Sequence, residues 1–215
     1  SCRRFARSTR ERATRPGIWS GTPSQRWVYA DGGRVESVRR VVFTAPHFRC
    51  LWSGMPREEM RCEPETKAAI ESTQAVIRKC GLATKAIYGD FFRQVVDLNR
   101  PESRGTEFRD KVRRELTEDT LVLDIHTSPK EAFDEGTDIM VLVSGKGKNR
   151  ELAESLVKDL RAKGLRIEQK AASRVNDIVE TSHDESAGAA LLEFNPGKDI
   201  VASASVLGRV LCDGR

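Results

Sequence analysis

A three-layer α/β sandwich, with helices on both faces of a mixed, largely parallel sheet, is the fold that residues 41–215 predict. Short continuous apolar runs such as Leu121-Val122-Leu123 and Ile139-Met140-Val141-Leu142-Val143 have the composition of strands buried on both faces. Between them lie stretches with apolar residues at helical spacing, so strands alternate with helices along the chain. Gly, Pro, Asn and Ser punctuate the segments where turns are required.

Val41-Val42-Phe43-Thr44 reads as the first strand, closed by the loop Ala45-Pro46-His47. Residues 64–80 read as a helix, with Pro64 in its first turn, Ala68, Ala69, Ile70, Ala75, Val76 and Ile77 facing inward, and Gly81 as its stop. Val95-Val96-Asp97-Leu98 is strand-like, and Phe108 to Leu116 predicts a charged surface helix. Leu121 to Ile125 and Ile139 to Val143 are the next strands, the latter closed by Ser144-Gly145. Residues 149–163 carry Leu152, Leu156, Val157 and Leu160 on one helical face, end at Gly164, and lead into a strand from Leu165 to Gln169. Ala189 to Phe194 is the last strand, and a helix is expected near 199–210.

The charge is concentrated at one end. Residues 1–40 hold ten arginines, no lysine and three acids, hence +7 of the formal +5, and leave residues 41–215 at −2. This segment is expected to be a loosely ordered arm, with the bias of an organelle transit peptide but no apolar core of a secretory signal. Because the body is nearly neutral, nucleic acid is not the expected partner despite the basic arm. No stretch reaches the roughly 18 apolar residues of a membrane helix, so no membrane partner is expected and the expected compartment is the cytoplasm. Five cysteines without CxxC spacing read mainly as free thiols in a reducing environment.

Functional side chains of open α/β sheets gather at the carboxyl ends of strands. Those ends carry His47, Asn99-Arg100, His126 and, inside the last strand, Glu193. A zinc site of the hydrolytic type needs two histidines and a carboxylate, with a fourth position left for water. The compact His-x-x-Glu spacing is absent, because Phe48-Arg49-Cys50 follow His47. Glu63, just before the helix start at Pro64, is the preferred carboxylate, since an acid at a helix N-terminus is held by backbone donors; Glu65 and Cys50 remain alternatives. Asp124, two residues before His126 on one strand face, can accept the second ring N–H of a metal-bound histidine. Arg100 beside Asn99 suits a bidentate clamp on a carboxylate. Glu193 is costly in an apolar strand unless it has a partner or a task, and general-base work on activated water is such a task. His183, in a polar loop, is left outside the site.

These segments together resemble the N-formylglutamate amidohydrolase family, which is similar in turn to the zinc carboxypeptidases. The matching pieces are Ala45-Pro46-His47, Glu63-Pro64-Glu65-Thr66, Val96-Asp97-Leu98-Asn99-Arg100, Leu123-Asp124-Ile125-His126-Thr127-Ser128 and Leu191-Leu192-Glu193-Phe194, spanning residues 41–195. The resemblance implies a phosphorylase/hydrolase-like fold and a zinc-dependent amide hydrolase acting on a small acyl-amino acid or peptide. His47, Glu63 and His126 would be the ligands. Asn99 and Arg100 would bind the substrate carboxylate or the developing oxyanion, and Glu193 would move the proton. A carboxypeptidase-like or poly-γ-glutamate-type peptidase, and a non-catalytic relative, are the competing expectations.

Overall fold

The computed structural model describes residues 38–50, 62–93, 95–143, 147–171, 176–182 and 185–213. Residues 1–37 of the Arg-rich segment lie outside that set, as do Cys2, Ser144-Gly145 and His183. Among the described residues six strands form one sheet: β1 (Arg40–Ala45), β2 (Ala83–Tyr88), β3 (Thr120–Thr127), β4 (Ile139–Val143), β5 (Ile167–Ala171) and β6 (Gly188–Phe194). Their order is β2-β1-β3-β6-β4-β5. The first four in that order run parallel, β4 lies antiparallel to β6, and β5 follows β4 in parallel. The helices are α1 (Thr66–Ile77), α2 (Glu107–Arg114), α3 (Lys148–Ala162), α4 (Asp177–Thr181) and α5 (Ile200–Asp213).

Alternation along the strands divides the core in two. Val41, Phe43, Leu121, Leu123, Ile125, Leu192 and Phe194 face α1, α3 and α5, and all seven are essentially excluded from water. Val42, Val122, Ala189 and Leu191 face the other way, against Phe108 and Val112 of α2 and Ile178 and Val179 of α4. Each fully buried side chain of this size contributes roughly 1.5–3 kcal/mol by leaving water. The expected sandwich, with a mixed and mostly parallel sheet covered on both sides, is therefore the observed fold. No helix among the described residues is long and apolar enough to cross a membrane.

Three local expectations are corrected. Val95 to Leu98 is a series of turns rather than a strand, with Val95 and Val96 N–H both donating to the Phe92 carbonyl and Val95 70% exposed. The second strand is instead β2, an edge strand whose alternating Ala-Thr-Lys-Ala-Ile-Tyr lacks the continuous apolar run of the interior strands. Helix α1 starts at Thr66 with Glu65 at its N-cap and buries Ala69, Ile70, Thr73, Gln74 and Ile77, while Ala68 and Ala75 point outward. It tightens into a 3-10 turn at Arg78–Cys80 and stops at Gly81, whose φ of 78° is the left-handed cap expected of glycine.

Four of the five cysteines are paired, which overturns the expectation of free thiols. Cys50 joins Cys62 with Cα atoms 5.0 Å apart, and Cys80 joins Cys212 at 5.9 Å, tying the end of α1 to α5. Spacing along the chain does not reveal such pairs, because connectivity depends on which segments the fold brings together.

Candidate metal centre

The chain reverses direction across the sheet between β1 and its neighbours: the crossover through α1 covers one face and that through α2 the other. The carboxyl ends of β1 and β3 therefore lie at a topological switch point, the place where open α/β sheets gather their functional side chains. His47 lies two residues past β1, and His126 is the penultimate residue of β3. Thr44, Asp124, His126 and Glu193 share the α2/α4 face, with Thr44 opposite Asp124 and His126 opposite Glu193 in register. The polar end of an otherwise apolar sheet face is thus assembled by strand alternation alone.

Glu63 enters from the loop before α1. Its Oε1 lies 3.0 Å from His47 Nδ1, its Oε2 lies 2.9 Å from His126 Nδ1, and Oε2 also accepts the Thr127 backbone N–H at 3.1 Å. Glu63 does not cap the helix, as the sequence suggested; Glu65 occupies that position. One ligand atom from each of His47, Glu63 and His126 falls within 4.8 Å of the others, and all three residues are buried.

The far nitrogen of each ring also meets a carboxylate. His47 Nε2 is 2.8 Å from Asp97 Oδ1, and His126 Nε2 is 3.0 Å from Asp124 Oδ2. Asp124 is wholly buried and receives Thr44 Oγ1, Asn99 Nδ2 at 3.0 Å and Asn176 Nδ2 at 2.8 Å. Asn176 in turn accepts Val179 N–H at the N-cap of α4, so that short helix is anchored to the site. Burial by itself would push the Glu63, Asp97 and Asp124 carboxyls up, but the facing histidines and hydrogen-bond donors outweigh it and hold all three below the ordinary carboxylate range. Burial would lower the His126 pKa, and Glu63 and Asp124 together raise it well above the usual value instead.

This arrangement fits a divalent cation. An imidazole with a carboxylate at each nitrogen must carry two protons, or hand one nitrogen's lone pair to a metal. With a cation on the Nδ1 side, both rings can stay neutral, donate Nε2–H to Asp97 and Asp124, and present Nδ1 beside Glu63. Two imidazoles and one carboxylate are also the donor set of open zinc sites, which leave a further position for water. The one buried side-chain polar atom without a partner among the described residues, Asn99 Oδ1, belongs to the same cluster.

Other expected site residues fall as follows. Arg100 Nε stands 3.6 Å from Asp97 Oδ2 at the edge of the cluster. Asn99 donates its amide nitrogen to Asp124 and is only 5% exposed, so in this cluster it holds the carboxylate behind His126. Glu193 is partly exposed, not buried as its apolar neighbours suggested, and accepts the Ser128 hydroxyl. Cys50 is removed as an alternative ligand by its disulfide with Cys62. Sequence reasoning missed Arg93, whose Nη1 lies 3.3 Å from Glu63 Oε1 and whose Nε lies 3.8 Å from Asp97 Oδ2. It also assigned no task to Asp97, although that residue sits two positions before Asn99 in the Val-Asp-Leu-Asn-Arg string.

No family model matches the chain, and no curated protein matches it. Solved structures do. The gene product Atu2144 from Agrobacterium tumefaciens superposes with a TM-score of 0.61 at 12% identity, covering 84% of this chain and 90% of that one. N-acetylmuramoyl-L-alanine amidase from Clostridium difficile 630 gives 0.48 at 12% identity, over 83% of this chain and 95% of the amidase. A zinc-free YndL gives 0.46 at 12% identity, over 89% and 92%. At these identities the likeness is one of fold.

Proposed function

We propose that this chain is a zinc-dependent amidohydrolase of the N-formylglutamate amidohydrolase type, cleaving the amide bond of a small acyl-amino acid. The observation that carries the reading is the pair of imidazoles converging through Nδ1 on one carboxylate, Glu63, while each Nε2 meets a carboxylate of its own. His47, Glu63 and His126 would hold the ion. Zinc bound there would polarise the scissile carbonyl and lower the pKa of a bound water.

The chain's own residues account for the remaining tasks. Asp97 and Asp124 select the tautomer of each histidine, and Asn99, Thr44 and Asn176 keep Asp124 in place. Arg100 and Arg93, both partly exposed beside Asp97, supply guanidinium groups for a substrate carboxylate or for negative charge developing on the carbonyl oxygen. Glu193, on the strand beside His126 and in contact with Ser128, would take a proton at its carboxylate and return it to the leaving amine. An anionic substrate of modest size, such as N-formylglutamate, matches this charge distribution, and neither a membrane nor a nucleic acid is part of the reading. Two disulfides favour an oxidising compartment over the cytoplasm.

Metal content of the purified chain, beside His47→Ala and His126→Ala, tests the reading. About one zinc per chain, lost in both variants, is the expected result, followed by hydrolysis of N-acyl amino acids that Glu193→Gln abolishes. Protein that contains no zinc and takes none up on addition would refute it.

A further inference from the structure

The Cys50–Cys62 disulfide closes a segment whose two ends carry two of the three clustered side chains. His47 precedes Cys50 by three residues, and Glu63 directly follows Cys62. The Glu63 backbone N–H donates to the His47 carbonyl at 2.8 Å, so a hydrogen bond and a covalent bond close the same loop side by side. The cysteine Cα atoms are 5.0 Å apart across a sequence separation of 12. Fifteen residues otherwise separate the imidazole from the carboxylate, too many for local geometry to bring them together. His126 differs, because β3 and the sheet register fix it without any such closure.

We infer that this disulfide is a positioning clamp for the metal centre, holding Glu63 against His47 before any ion arrives. The inference rests on the proposed zinc site. Its physical basis is loop closure: with the sulfurs unlinked, ordering the segment falls on the binding event and weakens it. The Cys80–Cys212 disulfide, which joins α1's 3-10 turn to α5, lies outside the cluster and serves as the internal comparison.

The test is zinc affinity of the full chain, measured by competition with a chromophoric chelator, for wild type, Cys50→Ser/Cys62→Ser and Cys80→Ser/Cys212→Ser. The first pair is expected to weaken zinc binding about 10- to 100-fold, within the range of supporting interactions around metal sites. The second pair is expected to lower the melting temperature while leaving zinc affinity within about threefold of wild type, the spread of context effects. Equal affinity in Cys50→Ser/Cys62→Ser and wild type would overturn the clamp and leave the zinc site standing. Equal losses in both pairs would also overturn it, since the effect would then be one of general stability. Wild type that binds no zinc removes the site and the clamp together.

Should Cys50→Ser/Cys62→Ser fail to fold, wild type is reduced with a phosphine and capped with iodoacetamide, with mass mapping of the capped sites. Each S–S bond takes two electrons from the phosphine, and one water supplies the oxygen of the phosphine oxide and the two protons of the thiols; each thiolate then displaces iodide from iodoacetamide. Chains folded by circular dichroism and capped at Cys50 and Cys62 are expected to show the same loss of affinity, and unchanged affinity would overturn the clamp.

Discussion

Replacing Asp97 by Asn isolates the outer carboxylate of His47 without changing its shape. Asp97 Oδ1 is 2.8 Å from His47 Nε2, and its position is set by Asn99 N–H at 3.0 Å together with Arg93 and Arg100. The carboxylate accepts Nε2–H as a charge-assisted bond, worth about 1.5–3 kcal/mol, whereas a neutral amide oxygen contributes about 0.5–1.5 kcal/mol. The difference, roughly 1–2 kcal/mol, corresponds to a loss of about 5- to 30-fold in zinc affinity. If the amide turns its NH₂ to Nε2, the ring must move its proton to Nδ1 and the loss is greater, about 100-fold. Asp97 is partly exposed at the cluster's edge, so the melting temperature is expected to change by only a few degrees. Competition titration with a chromophoric chelator reads the affinity, and a thermal melt without zinc reads the fold. Zinc affinity in Asp97→Asn equal to that of wild type would refute the reasoning, because His47 would then not be oriented through Nε2.

Other perturbations separate the site from its support. Asp177, wholly buried, is bound by Arg104 and Arg109, the latter at 2.9 Å; Asp177→Asn strands Arg109 in the interior and is expected to cost about 3 kcal/mol by denaturant unfolding. Burial pushes the Asp177 carboxyl up, yet the two guanidiniums bring it below its ordinary value. Its contribution is therefore present above about pH 4 and lost as acid titrates it, so the gap between wild type and variant should close below that pH. A Cβ at Gly89 would overlap the Pro46 carbonyl and come within 2.8 Å of Leu98 Cδ1. Gly89→Ala should thus shift the loop bearing His47, costing about 1–3 kcal/mol and weakening zinc binding in the same titration. Opening Cys80–Cys212, which spans 132 residues, should cost about 2–4 kcal/mol, roughly 5–15 °C in melting temperature by calorimetry.

Interior strands were legible because each is a continuous apolar run: β1, β3, β4 and β6 need no tertiary information to be recognised. Helix α3 was legible because Leu152, Leu156, Val157 and Leu160 repeat at helical spacing, and all four are buried. The edge strand β2 was not, since half-exposed positions follow no apolar rule, and the three apolar residues among positions 95–98 misled because they lie in turns. Strand ends likewise pointed to His47 and His126, and the helix start pointed to Glu63 among several acids.

Alternation along the chain is a one-dimensional property, and it was enough for the sandwich and for the sheet edge on which polar side chains gather. Pairings between distant segments are not. That Asp97 faces His47 across 50 residues, that Arg93 reaches Glu63, that Asn99 turns inward, and that Cys50 meets Cys62 depend on where loops return after the sheet is built. Local propensity carries no record of those returns, because packing around a buried ionic cluster sets the distances and only the folded chain contains it.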